Sequence, residues 1–304
     1  MNTPAKPTHR PGSAGILARI RLFRSDALSS QPERLYTARM AETRTPFYRS
    51  FLVNEPDLAA EILRDVNSFP KAGVLGQTLR VLLGNSLFVS NSADWARHRR
   101  ILEPIFKDAA ALTPALPVIK QAVATMVVRL TQFGETPDVE AETSRFAADV
   151  MFRLLLSRPI ESPEALALFQ AFQQYQRAQP LWQPAALLRL PRWMRRGPNR
   201  AARLAAAQIL EPLAKIISKR RQDIQEGTAP NDMLGQMMRA VDVETGIALN
   251  DQELLDQLAI FLLAGHETSA SALSWALYLL ALNPTYQEQL SEEARSADSL
   301  RKLK

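Results

Sequence analysis

The chain has 304 residues, with 37 Lys+Arg against 31 Asp+Glu for a formal net charge of +6, and it is 46% hydrophobic and 22% charged. That is globular composition; it excludes a disordered or collagen-like chain and leaves length for a sizeable core in one large domain or two small ones. Cysteine is absent and His9, His98 and His266 are the only histidines. Disulfide, zinc-thiolate, iron–sulfur and thiol-nucleophile chemistry are thereby excluded within these residues, and a His-rich metal site nearly so.

The first 25 residues carry Lys6, Arg10, Arg19, Arg21 and Arg24 with no acid before Asp26. The apolar stretch at 15–23 is too short and too broken by arginine for a secretory core or membrane anchor. Residues 1–44 therefore read as a flexible basic N-terminal arm, and the protein as cytoplasmic. Ordered structure is expected from about Thr45, with a strand at 47–53 and a helix at 58–64 after the turn Asn54-Glu55-Pro56-Asp57. Gly73, Gly76 and Gly84 mark 71–86 as a long loop, and Ser92 opens a helix to about residue 106 that Pro104 bends. Helical periodicity follows at about 115–133, 142–157, 163–178, 199–225 and 231–240, while Val139-Glu140-Ala141 after Pro137 reads as a short strand. Six prolines from Pro159 to Pro198 make 158–198 a short helix plus irregular loop. The fold class is mainly α.

Two basic clusters stand out, six arginines between Arg189 and Arg203 and the run Lys219-Arg220-Arg221. Nucleic-acid binding is one reading, a solvated helix face the other. No aromatic interleaving or DNA-binding motif accompanies them, so the expectation is no nucleic-acid partner.

Asn250 and Glu253 form a capping-box pair at the start of the longest apolar run, residues 254–282, which stops at Asn283-Pro284. About thirty residues of helix span about 45 Å. Its apolar character on nearly every side marks a helix buried all round; Asp256, Gln257, His266 and Glu267 argue against a membrane span. Its centre, Ala264-Gly265-His266-Glu267-Thr268-Ser269, is polar. Gly265 weakens a mid-helix position by about 1 kcal/mol relative to Ala. Thr268 can bond back to the carbonyl of Ala264 and bend the helix. Glu267, if buried, needs partners or a raised pKa. One reading is a gap for something large to pack against, beside a short proton relay. The other is a close helix crossing at Gly265 and a Glu267 paired with an arginine. A zinc-protease site is excluded, since position 270 is Ala270 where a second histidine would be required.

Ala264-Gly265-His266-Glu267-Thr268 resembles the oxygen-binding-helix motif Ala/Gly-Gly-x-Asp/Glu-Thr of the cytochrome P-450 family, the haem-thiolate monooxygenases, and its flanks match that helix through the Asn-Pro stop. Upstream, Trp95-Ala-Arg-His98-Arg99 resembles the family's Trp-x-x-x-Arg helix; the pair, four apart, shares one helical face. The resemblance covers about residues 45 to 295. It implies the N-terminal two-thirds of the cytochrome P-450 fold, with haem b as cofactor. It also implies Trp95 and Arg99 donating to the haem propionates, Ala264 and Gly265 against the distal face, Thr268 hydrogen-bonding iron-bound oxygen and Glu267 delivering protons. The segments 71–88 and 165–200 would shape the pocket and lid for a small apolar organic substrate. A separate ferredoxin- or flavin-type protein would supply electrons, with no transmembrane segment.

The family's proximal ligand is a cysteine in a later glycine-rich loop, and this chain has neither. No residue here is expected to ligate metal. The spacings Glu61/Arg64, Glu142/Arg145 and Glu292/Arg295 look accidental as counterparts of the family's Glu-x-x-Arg helix. Residues 45–304 are thus expected to be an incomplete cytochrome P-450 domain lacking the Cys-ligand region, inactive and unstable alone, with the apolar face of 254–282 partly unburied. The alternative is a non-catalytic all-α protein binding a small hydrophobic ligand or partner.

Overall fold

The computed structural model describes residues 21–22, 31–44, 49–72, 79–107, 109–132, 137–178 and 200–296. In chain order these hold α1 (Arg34–Thr37), β1 (Met40–Arg44), β2 (Arg49–Val53), α2 (Pro56–Arg64), α3 (Ser92–Lys107), α4 (Ala109–Gln132), α5 (Val139–Leu156), α6 (Pro163–Ala178), α7 (Arg200–Gln225), α8 (Met233–Arg239), α9 (Asp251–Leu282) and α10 (Pro284–Ser296). The fold is mainly α, as the periodicity indicates.

Three local readings are corrected. The strand at 49–53 is one half of an antiparallel pair, Met40 opposite Val53 and Arg44 opposite Arg49, so regular structure begins well before Thr45. A lone strand leaves its backbone groups unpaired, and residues previously assigned to the arm supply the partner. Val139 opens α5 instead of a strand, because the Asp138 side chain caps the helix by accepting from the Ala141 amide at 3.0 Å. Residues 79–83 are helical, inside the expected loop, and end at Gly84 with φ +48°. Residues 1–20, 73–78 and 179–199, which include most of the arm and of the irregular loop, lie outside the described residues.

The core gathers around the first half of α9. Leu254, Leu258 and Ala259 are fully buried, with Phe172 and Tyr175 of α6, Ile209 and Leu213 of α7, and Phe152 and Leu155 of α5 around them. The capping box forms: Asn250 Oδ1 accepts from the Glu253 amide, and Glu253 Oε2 accepts from the Asn250 amide, both at 2.9 Å. Beyond His266 the helix is not buried all round. Among the described residues α5 covers one side of it, with the Thr143 and Ser274 hydroxyls 2.6 Å apart, while Trp275 is 57% and Tyr278 46% exposed. No helix among the described residues is long and apolar enough to cross a membrane.

The basic run at 219–221 is only partly a solvated face. Arg220 is buried against Asp232, Arg221 pairs with Asp251, and Lys219 reaches Asp223 at 3.3 Å. Of the upstream arginines, Arg200 and Arg203 are exposed, and the other four lie outside the described residues. Glu142 pairs with Arg129 at 2.7 Å, in keeping with an accidental spacing to Arg145.

Candidate functional site

The basic residues of α3 divide their work by helical phase. Arg97 pairs with Glu253 at 2.5 Å and donates to the Ala248 carbonyl at 2.8 Å. His98 is buried, its Nε2 3.5 Å from Glu253 and its Nδ1 3.4 Å from Gln257 Nε2. Arg100 grips the fully buried Asp242 with two bonds, at 2.7 and 2.9 Å, and holds that carboxyl far below the usual carboxylate range. These three tie α3 to the start of α9 and the turn before it. Trp95 and Arg99 fall on another face. Arg99 is about half exposed and donates one 3.1 Å bond to Glu103, which leaves most of its five N–H donors available.

Lys71, which the sequence did not single out, stands over the Trp95 ring with Nζ 5.7 Å from the centroid. Its ammonium donates to the carbonyls of Leu87 at 2.6 Å and Ser90 at 3.1 Å, and burial pulls its pKa down.

Beside Arg99 lies a cleft of about 220 Å³ walled by Leu87, Leu102, Phe106 and Phe261, with Glu103 and Lys107 also lining it. Phe106 and Phe261 meet edge to face at 4.9 Å, joining α3 to α9. Seven residues on an α-helix turn through 700°, so Thr268 projects within about 20° of Phe261 and about 10.5 Å further along. The wall therefore continues past Ala264, half-buried against the core, to the exposed Thr268. The Thr268 hydroxyl donates to the Ala264 carbonyl at 2.7 Å, the back-bond expected from the sequence.

The other motif residues point elsewhere. A Cβ on Gly265 would sit 2.6 Å from Met151 Sδ, so Gly265 lies where α9 passes close to α5. His266 is buried between Phe169 and Phe172, and its Nδ1 lies 2.6 Å from the Leu262 carbonyl. A carbonyl can only accept, so Nδ1 carries the hydrogen; desolvation pulls the ring's pKa down and keeps it neutral. Glu267 is exposed and accepts from Gln176 of α6 at 2.9 Å, a glutamine where an arginine was the alternative. It opens on a separate cleft of about 690 Å³ shared with Glu140, Ser144 and Trp275. Thr268 and Glu267, adjacent in sequence, thus address different spaces.

Asp256 and Gln257, which the sequence reading used only against a membrane span, cross to the loop that carries Leu87. Asp256 Oδ2 accepts from the Asn85 amide at 2.7 Å and Gln257 Oε1 from the Leu87 amide at 2.9 Å. Burial pushes the Asp256 carboxyl up, against the Asn85 amide and Gln252, which favour its charged form.

The cytochrome P-450 family profile matches residues 33–299. The chain belongs to the cytochrome P-450 family. It is 30% identical over 263 residues to the cyclooctat-9-en-7-ol 5-monooxygenase of Streptomyces melanosporofaciens, covering 84% of this chain and 54% of that protein. Its fold is similar to the haem domain of cytochrome P-450DA, with TM-score 0.66 and 23% identity over 98% of this chain and 64% of that one. It is also similar to the retinoic-acid-bound cyanobacterial CYP120A1, with TM-score 0.63 and 26% identity over 88% of this chain and 58% of that one. The chain spans about half the length of the curated relatives it matches.

Haem is the cofactor that this family implies. The residues present fit one edge of such a group. Arg99 offers spare donors to a carboxylate beside apolar walls. An axial thiolate is not among these 304 residues, which contain no cysteine.

Proposed function

We propose that this chain supplies the distal and propionate-side half of a haem monooxygenase acting on a small apolar organic substrate. The observation that carries the reading is the apolar cleft between Arg99 of α3 and Phe261 of α9, whose wall leads to Thr268. Haem, when bound, would supply the activation of dioxygen. The protein groups do the rest. Arg99 binds a propionate carboxylate with its free N–H donors, and the Trp95 indole adds one more. Ala264, with its small side chain, would leave room for a flat ring beside α9. The Thr268 hydroxyl, which rests on the Ala264 carbonyl, would turn from it to hold a proton beside the bound group. Glu267, exposed to water, would exchange protons with solvent on the neighbouring face of α9, and water would carry them round to Thr268. Leu87 and Phe88 border the substrate space. Electrons come from a separate ferredoxin- or flavin-type protein, and the site of action is cytoplasmic. The thiolate comes from outside these 304 residues, so the chain alone does not hydroxylate.

Haemin titration of the chain tests this. Wild type binds haemin without the thiolate signature on carbon monoxide addition. Arg99→Leu weakens binding about tenfold or more, the worth of a charge-assisted hydrogen bond of about 1.5–3 kcal/mol. Wild-type affinity no better than that of Arg99→Leu refutes the placement.

A further inference from the structure

The loop at 84–90 is partly buried but is not held by apolar contacts alone. Leu83 and Val89 join the core, yet Ser86 and Ser90 are also buried, and their hydroxyls have no protein partner among the described residues. Sequestered hydroxyls without partners favour release of the segment to water. Something specific must hold it, and the backbone shows what does. On the α9 side, Asp256 takes the Asn85 amide at 2.7 Å and Gln257 the Leu87 amide at 2.9 Å. On the other side Lys71 takes the Leu87 and Ser90 carbonyls, and its own backbone exchanges bonds with the Asn91 side chain at 2.9 and 3.1 Å. Residue 84 is a glycine for two reasons: its φ is +48°, and a Cβ there would overlap the Asp256 carboxylate. Gln257 is fully buried and Asp256 5% exposed, so both acceptors work where water does not compete. Alternate amides, 85 and 87, are captured by adjacent residues of one rigid helix, which fixes both the height and the rotation of the loop. Its output is Leu87, which walls the Arg99 cleft; Phe88, next in the chain, is 56% exposed.

We propose that Asp256 and Gln257 are positioning residues that pin the 84–90 backbone to the central helix and so set where Leu87 stands in the wall of the cleft. That the cleft takes a ligand rests on the proposed function; the pinning does not. A helix side chain here defines the shape of a binding space it does not touch, so substitutions at 256 or 257 alter which ligands fit without altering any lining residue.

The test uses the 304-residue chain without haem. Amide hydrogen exchange is compared in wild type, Gln257→Ala, Asp256→Ala and Asp256→Asn, together with hydroxyl-radical labelling of Leu87. In Gln257→Ala and Asp256→Ala, the amides of Asn85 and Leu87 lose protection at least tenfold, those of α5 and α7 hold theirs, and Leu87 labels at least twice as fast. Asp256→Asn, which keeps an acceptor for the Asn85 amide, restores the wild-type pattern. Should Gln257→Ala not fold, Gln257→Met keeps the length without the oxygen and gives the same readout. Unchanged protection at 85 and 87, a uniform loss across the molecule, or lost protection with unaltered Leu87 labelling each overturns the proposal. Haemin titration of the same variants keeps the two readings apart. Pinning that responds as stated in a chain that binds no haemin sinks only the haem reading.

Discussion

Replacing Asp232 by alanine should be the most costly single substitution outside the cleft. The Asp232 carboxylate is 6% exposed and accepts from three elements at once. Arg220 of α7 pairs with Oδ1, the Gly235 amide of α8 donates to Oδ1 at 2.9 Å, and Ser157, the left-handed C-cap of α5, donates to Oδ2 at 2.9 Å. Arg220 is itself 5% exposed, and among the described residues its other bond is a 3.5 Å contact to the Leu156 carbonyl. Removing one partner of a buried pair leaves an uncompensated charge, at about 3–5 kcal/mol. Loss of the α8 cap adds about 1 kcal/mol, not fully additive because one carboxylate serves both roles. The expected total for Asp232→Ala is about 4 kcal/mol, comparable with a large part of a domain's net stability. Asp232→Asn, which keeps the cap, should lose about half of that. The double variant Asp232→Ala/Arg220→Met should recover most of it, because no buried charge is left unpaired. Urea unfolding followed by far-ultraviolet circular dichroism measures all three. A single-variant loss below about 1 kcal/mol, or a double variant no better than the single, would refute the reasoning.

Two further outcomes follow from residues of α9 and of the turn before it. Asp242 is held below its ordinary value by Arg100, so the unfolded chain binds the proton more readily and stability rises with pH across the window below about pH 4. The urea midpoint should therefore fall as pH drops from about 4, and Asp242→Asn, weaker at neutral pH, should show a gap from wild type that narrows on acidification. A constant gap would mean that the pair does not titrate as the geometry requires. Gly265→Leu should cost about 1–3 kcal/mol by overpacking against Met151, and Met151→Ala in the same chain should return part of it. If the second substitution only adds to the loss, Gly265 does not serve the α5–α9 crossing.

What the sequence determined by itself is what one or two turns of chain can settle. The Asn250/Glu253 box, the Thr268 bond to Ala264, the stop at Pro284 and the shared face of Trp95 and Arg99 all depend on groups no more than four residues apart, where helix geometry leaves little choice. The two motifs at 95–99 and 264–268 were legible for the same reason, and with them the family. The tertiary structure decided the rest, because it depends on which face meets which neighbour. A strand at 49–53 needed a partner from 40–44 that no local pattern announces. The apolar run 254–282 reads alike from end to end, yet only the described packing tells its buried first half from its exposed second half. Arg220 looked like surface charge until Asp232, on another element, took it inward. Asp256 and Gln257 find their partners 171 and 170 residues away. Bonds of that span carry no period or spacing, since their energy appears only after two distant segments have been desolvated against each other.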